Sequence, residues 1–167
     1  MQRPLVICCS QRFKDPLNAF VEFLEKRGVL VYYPNFRYHR KDFIKKSEQE
    51  RLKSAGYEAR VPGMVWSHFD HLSEASNQGG ICLIYNPIAL KGQRRQFGYI
   101  GSNTMGEIGC SKGLKMPVLL IKPHEEKWIM TVAHQPADPK RVFTVAHPRS
   151  SPEDFDKVFT WLKRWLR

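Results

Sequence analysis

Leu5-Val6-Ile7-Cys8-Cys9 is a short continuous apolar run with β-branched members, which predicts a buried strand. Asp15-Pro16 follows, with Asp suited to a helix N-cap and Pro to the first helical position. Phe20, Val21, Phe23 and Leu24 then recur at helical spacing, and Gly28 ends the segment as a C-cap glycine. Val29 to Tyr33 predicts a second strand, closed by Pro34. This β-α-β unit implies parallel strands joined by a right-handed crossover.

Residues 37–60 are basic with few apolar positions, including Arg37, His39, Arg40, Lys41, Lys45, Lys46, Arg51, Lys53 and Arg60. They read as a surface loop with a polar helical piece, either a solvated face or a basic lid over an anion. Pro62-Gly63 punctuates the chain, and a helix is predicted from Met64 to Ser76 with Val65, Phe69 and Leu72 as its apolar stripe. His68 and His71 read as exposed on that helix. Ile81 to Tyr85 predicts a third strand, covered on both faces. Residues 87–100 form a long loop, a common place for binding elements. Gly101 to Thr104 opens a helix through Leu114, with Ser102, Asn103 or Thr104 as its cap. Pro117 to Ile121 predicts a fourth strand and Val142 to Ala146 a fifth, while residues 123–140 show no readable pattern. Ser151-Pro152-Glu153-Asp154 starts a last helix with Phe155, Val158, Phe159, Leu162 and Leu166 on its core face. The alternation predicts one α/β domain over residues 1–167: a doubly wound, mostly parallel five-stranded sheet flanked by helices. Ligands of such sheets lie at the carboxyl ends of the strands, where the strand order reverses.

A length of 167 residues suits one core, and 42% apolar with 12% aromatic residues argues against global disorder. No apolar run approaches the ~20 residues that span a bilayer. The start, Met1-Gln2-Arg3-Pro4, lacks the layout of a signal peptide, so a cytoplasmic location without membrane contact is expected. Cys8, Cys9, Cys82 and Cys110 show neither a CxxC pair nor metal-ligand spacing. They are expected as reduced thiols, with no metal and no cofactor. Lys and Arg number 27 against 16 acids, a net charge of +11 that favours an anionic partner. No long basic block interrupts the chain, so a phosphorylated small molecule is favoured over nucleic acid.

The stretch Gly98-Tyr99-Ile100-Gly101-Ser102-Asn103-Thr104-Met105-Gly106-Glu107-Ile108-Gly109 carries the candidate chemistry. Its glycines admit close approach of a ligand, and the N–H groups of a starting helix attract anions. A carboxylate follows within two turns. That arrangement suits attack by Glu107 on a sugar C1′ through an oxocarbenium-like transition state. The alternative is that Glu107 merely complements the helix dipole.

Tyr85-Asn86-Pro87, the Gly98 to Gly109 block and Gly113-Leu114-Lys115-Met116-Pro117-Val118 together resemble the nucleoside 2-deoxyribosyltransferase family. The opening Val6 to Phe13 is similar to that family's first strand and loop. The resemblance covers roughly residues 5 to 122. It implies a flavodoxin-like or Rossmann-like sheet in a homo-oligomer. It implies cleavage or transfer of the N-glycosidic bond of a deoxynucleoside or its 5′-monophosphate, through a glycosyl ester on Glu107. Ser10, Arg12, Gly101, Ser102 and Asn103 would then contact the sugar or its 5′ group, with Tyr99 as a pocket wall. The family aspartate that handles the leaving base's proton is matched here to Gly80, which supplies no acid; Asp70, His68 and His71 are stand-ins that the spacing does not select. A nucleotide-sensing domain without turnover is therefore the second reading, and a nucleic acid binder using residues 37–60 the third.

Overall fold

The computed structural model describes residues 2–36, 47, 49–50, 53–87, 98–134 and 152–167. In chain order these give β1 (Leu5–Cys8), a 3-10 turn (Gln11–Phe13), α1 (Lys14–Glu25), β2 (Val31–Tyr32), α2 (Ala55–Asn77) and β3 (Ile81–Ile84). There follow α3 (Ser102–Gly113), β4 (Val118–Leu120), α4 (Lys127–Val132) and α5 (Pro152–Leu162). The strands form one sheet in the order β2-β1-β3-β4, and every pairing is parallel. From β1 the chain adds β2 on one side, then β3 and β4 on the other, so the order reverses between β1 and β3. Among the described residues no helix is long and apolar enough to cross a membrane.

Helices cover both faces of the sheet, which is why β1, β3 and β4 read as unbroken apolar runs. Leu5, Ile7, Leu83 and Leu119 share one core with Leu17, Phe20, Val21 and Leu24 of α1 and Phe155, Val158 and Leu162 of α5. Val6, Cys8, Cys82, Ile84, Val118 and Leu120 share the other with Leu72 and Ala75 of α2, Ile108 of α3 and Ile129 of α4. The α/β class, the parallel pairing and the final helix match the sequence expectation. The fifth strand expected at residues 142–146 lies outside the described residues.

Two boundaries differ from the pattern reading. β2 has two residues in place of the five expected; among the described residues it is an edge strand paired only with β1, and Leu30 beside it is 49% exposed. α2 begins at Ala55, nine residues before Met64, and runs through Pro62 and Gly63. Pro62, which cannot donate to the carbonyl one turn earlier, is itself exposed. Val61, His68, Leu72 and Ala75 are buried, and packing of that face outweighs local propensity. In the unread segment after residue 123, α4 docks through Ile129 while Trp128 stays 45% exposed.

The strand ends at the carboxyl edge are tied together. Buried Asn86 accepts from the Lys122 N–H and donates to the Lys122 carbonyl, both at 3.0 Å. The Gly98 N–H donates to the Pro123 carbonyl at 3.2 Å. A Cβ at position 98 would collide with the Asn86 carbonyl, so this crossing needs glycine.

Phe20 anchors the α1 face: it is fully buried, stacks on Tyr85 at 5.3 Å between ring centroids and meets Phe155 at 5.4 Å. Phe20→Ala is expected to cost about 3–5 kcal/mol of stability, read from the midpoint of denaturant unfolding.

Candidate functional site

Three buried polar side chains from three elements meet at the exit of β1. Cys8 closes that strand and has no exposed surface. His68 sits mid-way along α2 and is 4% exposed. Glu107, the sixth residue of α3, is 5% exposed. Glu107 Oε1 lies 3.8 Å from His68 Nε2, which in turn lies 3.4 Å from Cys8 Sγ. Cys82 on β3 contacts Cys8 with 3.7 Å between sulfurs. Among the described residues, Glu107 Oε2 and His68 Nδ1 are buried with no hydrogen-bond partner. A buried atom left so costs about 1–3 kcal/mol, so packing alone does not explain this cluster.

α3 is positioned by its neighbours more than by a cap. Its N-cap is Gly101, without a side-chain cap hydrogen bond, so Ser102, Asn103 and Thr104 lie inside the helix and are not its cap. The Met105 N–H closes the first turn onto the Gly101 carbonyl at 3.0 Å. Ile108 enters the core next to Glu107, which carries the carboxyl inward with it.

Burial dominates the protonation of the trio. It pushes Glu107 up to about 8, against the smaller opposing pull of the Cys8 thiol and the Thr104 hydroxyl. Burial, and then neighbouring His71, depress His68 to about 4. Burial also raises the Cys8 thiol well above its ordinary value, with Cys82 adding to the effect. At neutral pH the trio is therefore uncharged, with a proton on the carboxyl and a neutral imidazole.

The predicted substrate contacts fall into two places. Ser10 is half-buried in the turn after β1, and its hydroxyl accepts from the Arg12 N–H at 3.4 Å. Arg12 is exposed, with its guanidinium 5.4 Å above the Tyr99 ring. Tyr99 is half-buried and meets Phe13 edge-on at 6.4 Å. Gly101 lies beside the Tyr99 ring. These four line the carboxyl end of β1. Ser102 and Asn103 are exposed, outside the buried trio, though on the same helix as Glu107.

The histidines and Gly80 correct the sequence reading. His68 is buried, not exposed, and His71 is half-buried. α2 leans its histidine face onto the sheet, and two histidines among Val65, Phe69 and Leu72 looked like the polar side of the stripe. Gly80 precedes β3 at the amino end of the sheet, roughly 13 Å along the strand from the level of Cys8 at the usual rise per residue. A Cβ there would meet the Ala75 carbonyl at 2.7 Å. An acid at position 80 would strike the end of α2 and not approach Glu107. His68 and Cys8 are the titratable groups that the fold puts beside Glu107 among the described residues. Cys8, His68 and Glu107 also offer sulfur, nitrogen and oxygen donors within 4.8 Å of one another, a set able to hold a metal ion. They lie 60 and 39 residues apart in the chain, so no ligand spacing announces them.

No family model matches the chain, and neither curated proteins nor solved structures give a match.

Stability should record the protonation of the trio. Glu107 binds its proton more tightly folded than unfolded, so its contribution is full below its ordinary value of 4.5 and lost as pH rises to about 8. His68 acts in the opposite sense, with its contribution full above 6.5 and lost as pH falls to about 4. Above pH 6.5 the Glu107 effect acts alone within this pair. A decline on the order of 1–2 kcal/mol is expected between pH 6.5 and 8. Glu107→Gln should flatten it in urea titrations at each pH.

Proposed function

We propose that this chain cleaves, or transfers, the N-glycosidic bond of a deoxynucleoside or its 5′-monophosphate, with Glu107 as nucleophile. The observation that carries the reading is the placement of Glu107: a buried carboxyl with a free Oε2, held by α3 beside the strand-order reversal. The block from Gly98 to Gly109, with its likeness to nucleoside 2-deoxyribosyltransferases, supplies the substrate class. On this reading Ser10, Arg12, Gly101, Ser102 and Asn103 hold the sugar and its 5′ group, and Tyr99 walls the pocket. The net charge of +11 favours the monophosphate. The reading also expects a fifth strand at residues 142–146 and a cytoplasmic homo-oligomer.

The proton of the pair has a use. As substrate enters, it passes from Glu107 to His68. The carboxylate attacks C1′, the bond from C1′ to the base nitrogen breaks, and the imidazolium returns the proton to the departing base. Water, or a second base, then takes C1′ from the glycosyl ester. In the hydrolytic case water's hydrogen restores the carboxyl proton, and the cycle closes without a cofactor.

Incubation with each deoxynucleoside monophosphate, followed by chromatography, is expected to show free base. Glu107→Gln should lower kcat on the order of 10⁴-fold, and His68→Asn about 10²–10⁴-fold. Full cleavage by Glu107→Gln would remove Glu107 as nucleophile.

The pH profile distinguishes this route from simple ionisation. kcat/KM should hold between about 4 and about 8, then fall as the pair loses its proton. In His68→Asn the carboxyl must release its proton to solvent, so the residual rate should rise with pH.

The protonated state of Glu107 at neutral pH also favours a second reading, a nucleotide sensor without turnover, because a neutral carboxyl is a poor nucleophile. Calorimetric titration that shows tight nucleotide binding and no base release would support it.

A further inference from the structure

The geometry points to a zinc site formed by Cys8 Sγ, His68 Nε2 and a Glu107 carboxylate oxygen. This inference does not depend on the glycosidic reading.

The distances are those of ligands around one small ion. With usual zinc bond lengths and tetrahedral angles, sulfur and nitrogen ligands stand about 3.6 Å apart, and nitrogen and oxygen ligands about 3.4 Å apart. Cys8 Sγ and His68 Nε2 are separated by 3.4 Å, and His68 Nε2 and Glu107 Oε1 by 3.8 Å. All three donor atoms lie within 4.8 Å of one another. The Cys8 Sγ to Glu107 separation is at most 4.8 Å, against about 3.6 Å around a zinc ion, so side-chain shifts of up to about 1 Å close the set.

Charge makes the same case. Zinc brings two positive charges. A thiolate and a carboxylate supply two negative charges, and a neutral imidazole none. The filled site is uncharged overall, which a water-poor interior tolerates far better than any lone ion. The thiol and carboxyl protons leave to solvent as the bonds to zinc form. Sulfur and nitrogen donors favour zinc over magnesium or calcium. Three protein ligands leave a fourth position for water, or for the otherwise unpartnered Glu107 Oε2. The Cys82 thiol beside Cys8 and the Thr104 hydroxyl beside Glu107 are placed to support the ligands from outside.

Zinc there claims the carboxylate that would attack C1′. Metal-bound protein would be inactive as a glycosidase, and removal of zinc would restore it.

The test is cobalt titration of the full chain after chelator treatment, with no nucleotide present. One equivalent of Co²⁺ should bind with tetrahedral ligand-field bands and a thiolate-to-cobalt charge-transfer band, and Zn²⁺ should displace it. Cys8→Ser should lose the charge-transfer band. His68→Asn and Glu107→Gln should weaken zinc by more than the roughly 10–100-fold that loss of a supporting outer partner costs. Absence of the band in the unaltered chain would overturn the site. So would a band that survives Cys8→Ser and disappears in Cys110→Ser. Circular dichroism checks that each variant folds. If Cys8→Ser does not, unchanged zinc affinity in both His68→Asn and Glu107→Gln overturns the site. Base release that continues in zinc-saturated protein would exclude Glu107 as nucleophile while leaving the zinc site standing.

Discussion

A carboxyl group cannot enter a core covered on both faces without an answer to its charge. The sheet from β1 to β4 is sealed by α1 and α5 on one side and by α2, α3 and α4 on the other. Into the second of these layers α3 carries Glu107. Water there is scarce, so the group must keep its proton, share it, or find a cation. His68 and Cys8 are the groups that meet it, and all the chemistry considered for this molecule follows from that confinement.

Both functional readings are therefore states of one cluster. In the metal-free state one proton is held between a carboxyl and an imidazole 3.8 Å apart. In the zinc-filled state the proton is gone and the charge is balanced by the ion. On the glycosidic reading proposed above, the first state would accept a substrate and the second would withhold Glu107 from it. Arg12 and Tyr99 stand outside the cluster at the same strand end, with the guanidinium over the ring.

Much of the frame was legible because it rests on local rules. Unbroken apolar runs marked β1, β3 and β4, since strands buried on both faces show no alternation. Glycines and prolines marked most of the boundaries. The rule failed at Pro62, where tertiary burial of one helix face overrode a local break. At the site, the block from Gly98 to Gly109 singled out Glu107, and the fold does bury it. His68 was not legible. Its role depends on how α2 is rotated against the sheet, a long-range fact that no spacing within α2 records. The same limit hid Cys8, which reads as one more apolar residue until β1 and α3 are brought together. It also misplaced the attention given to Gly80, a neighbour of β3 in sequence but at the wrong end of it in space.

The knot at Asn86 and Gly98 has a consequence for how this chain can change. Asn86 and Gly98 stand on either side of residues 88–97 in the chain, and both are fastened to the same exit of β4. The two ends are thus fixed next to each other whatever lies between them. Lengthening a segment whose ends are held in this way costs little, about 0.6 kcal/mol for each doubling. The ten residues between Pro87 and Gly98 can be rewritten, by drift or by design, without loosening the sheet that carries Glu107.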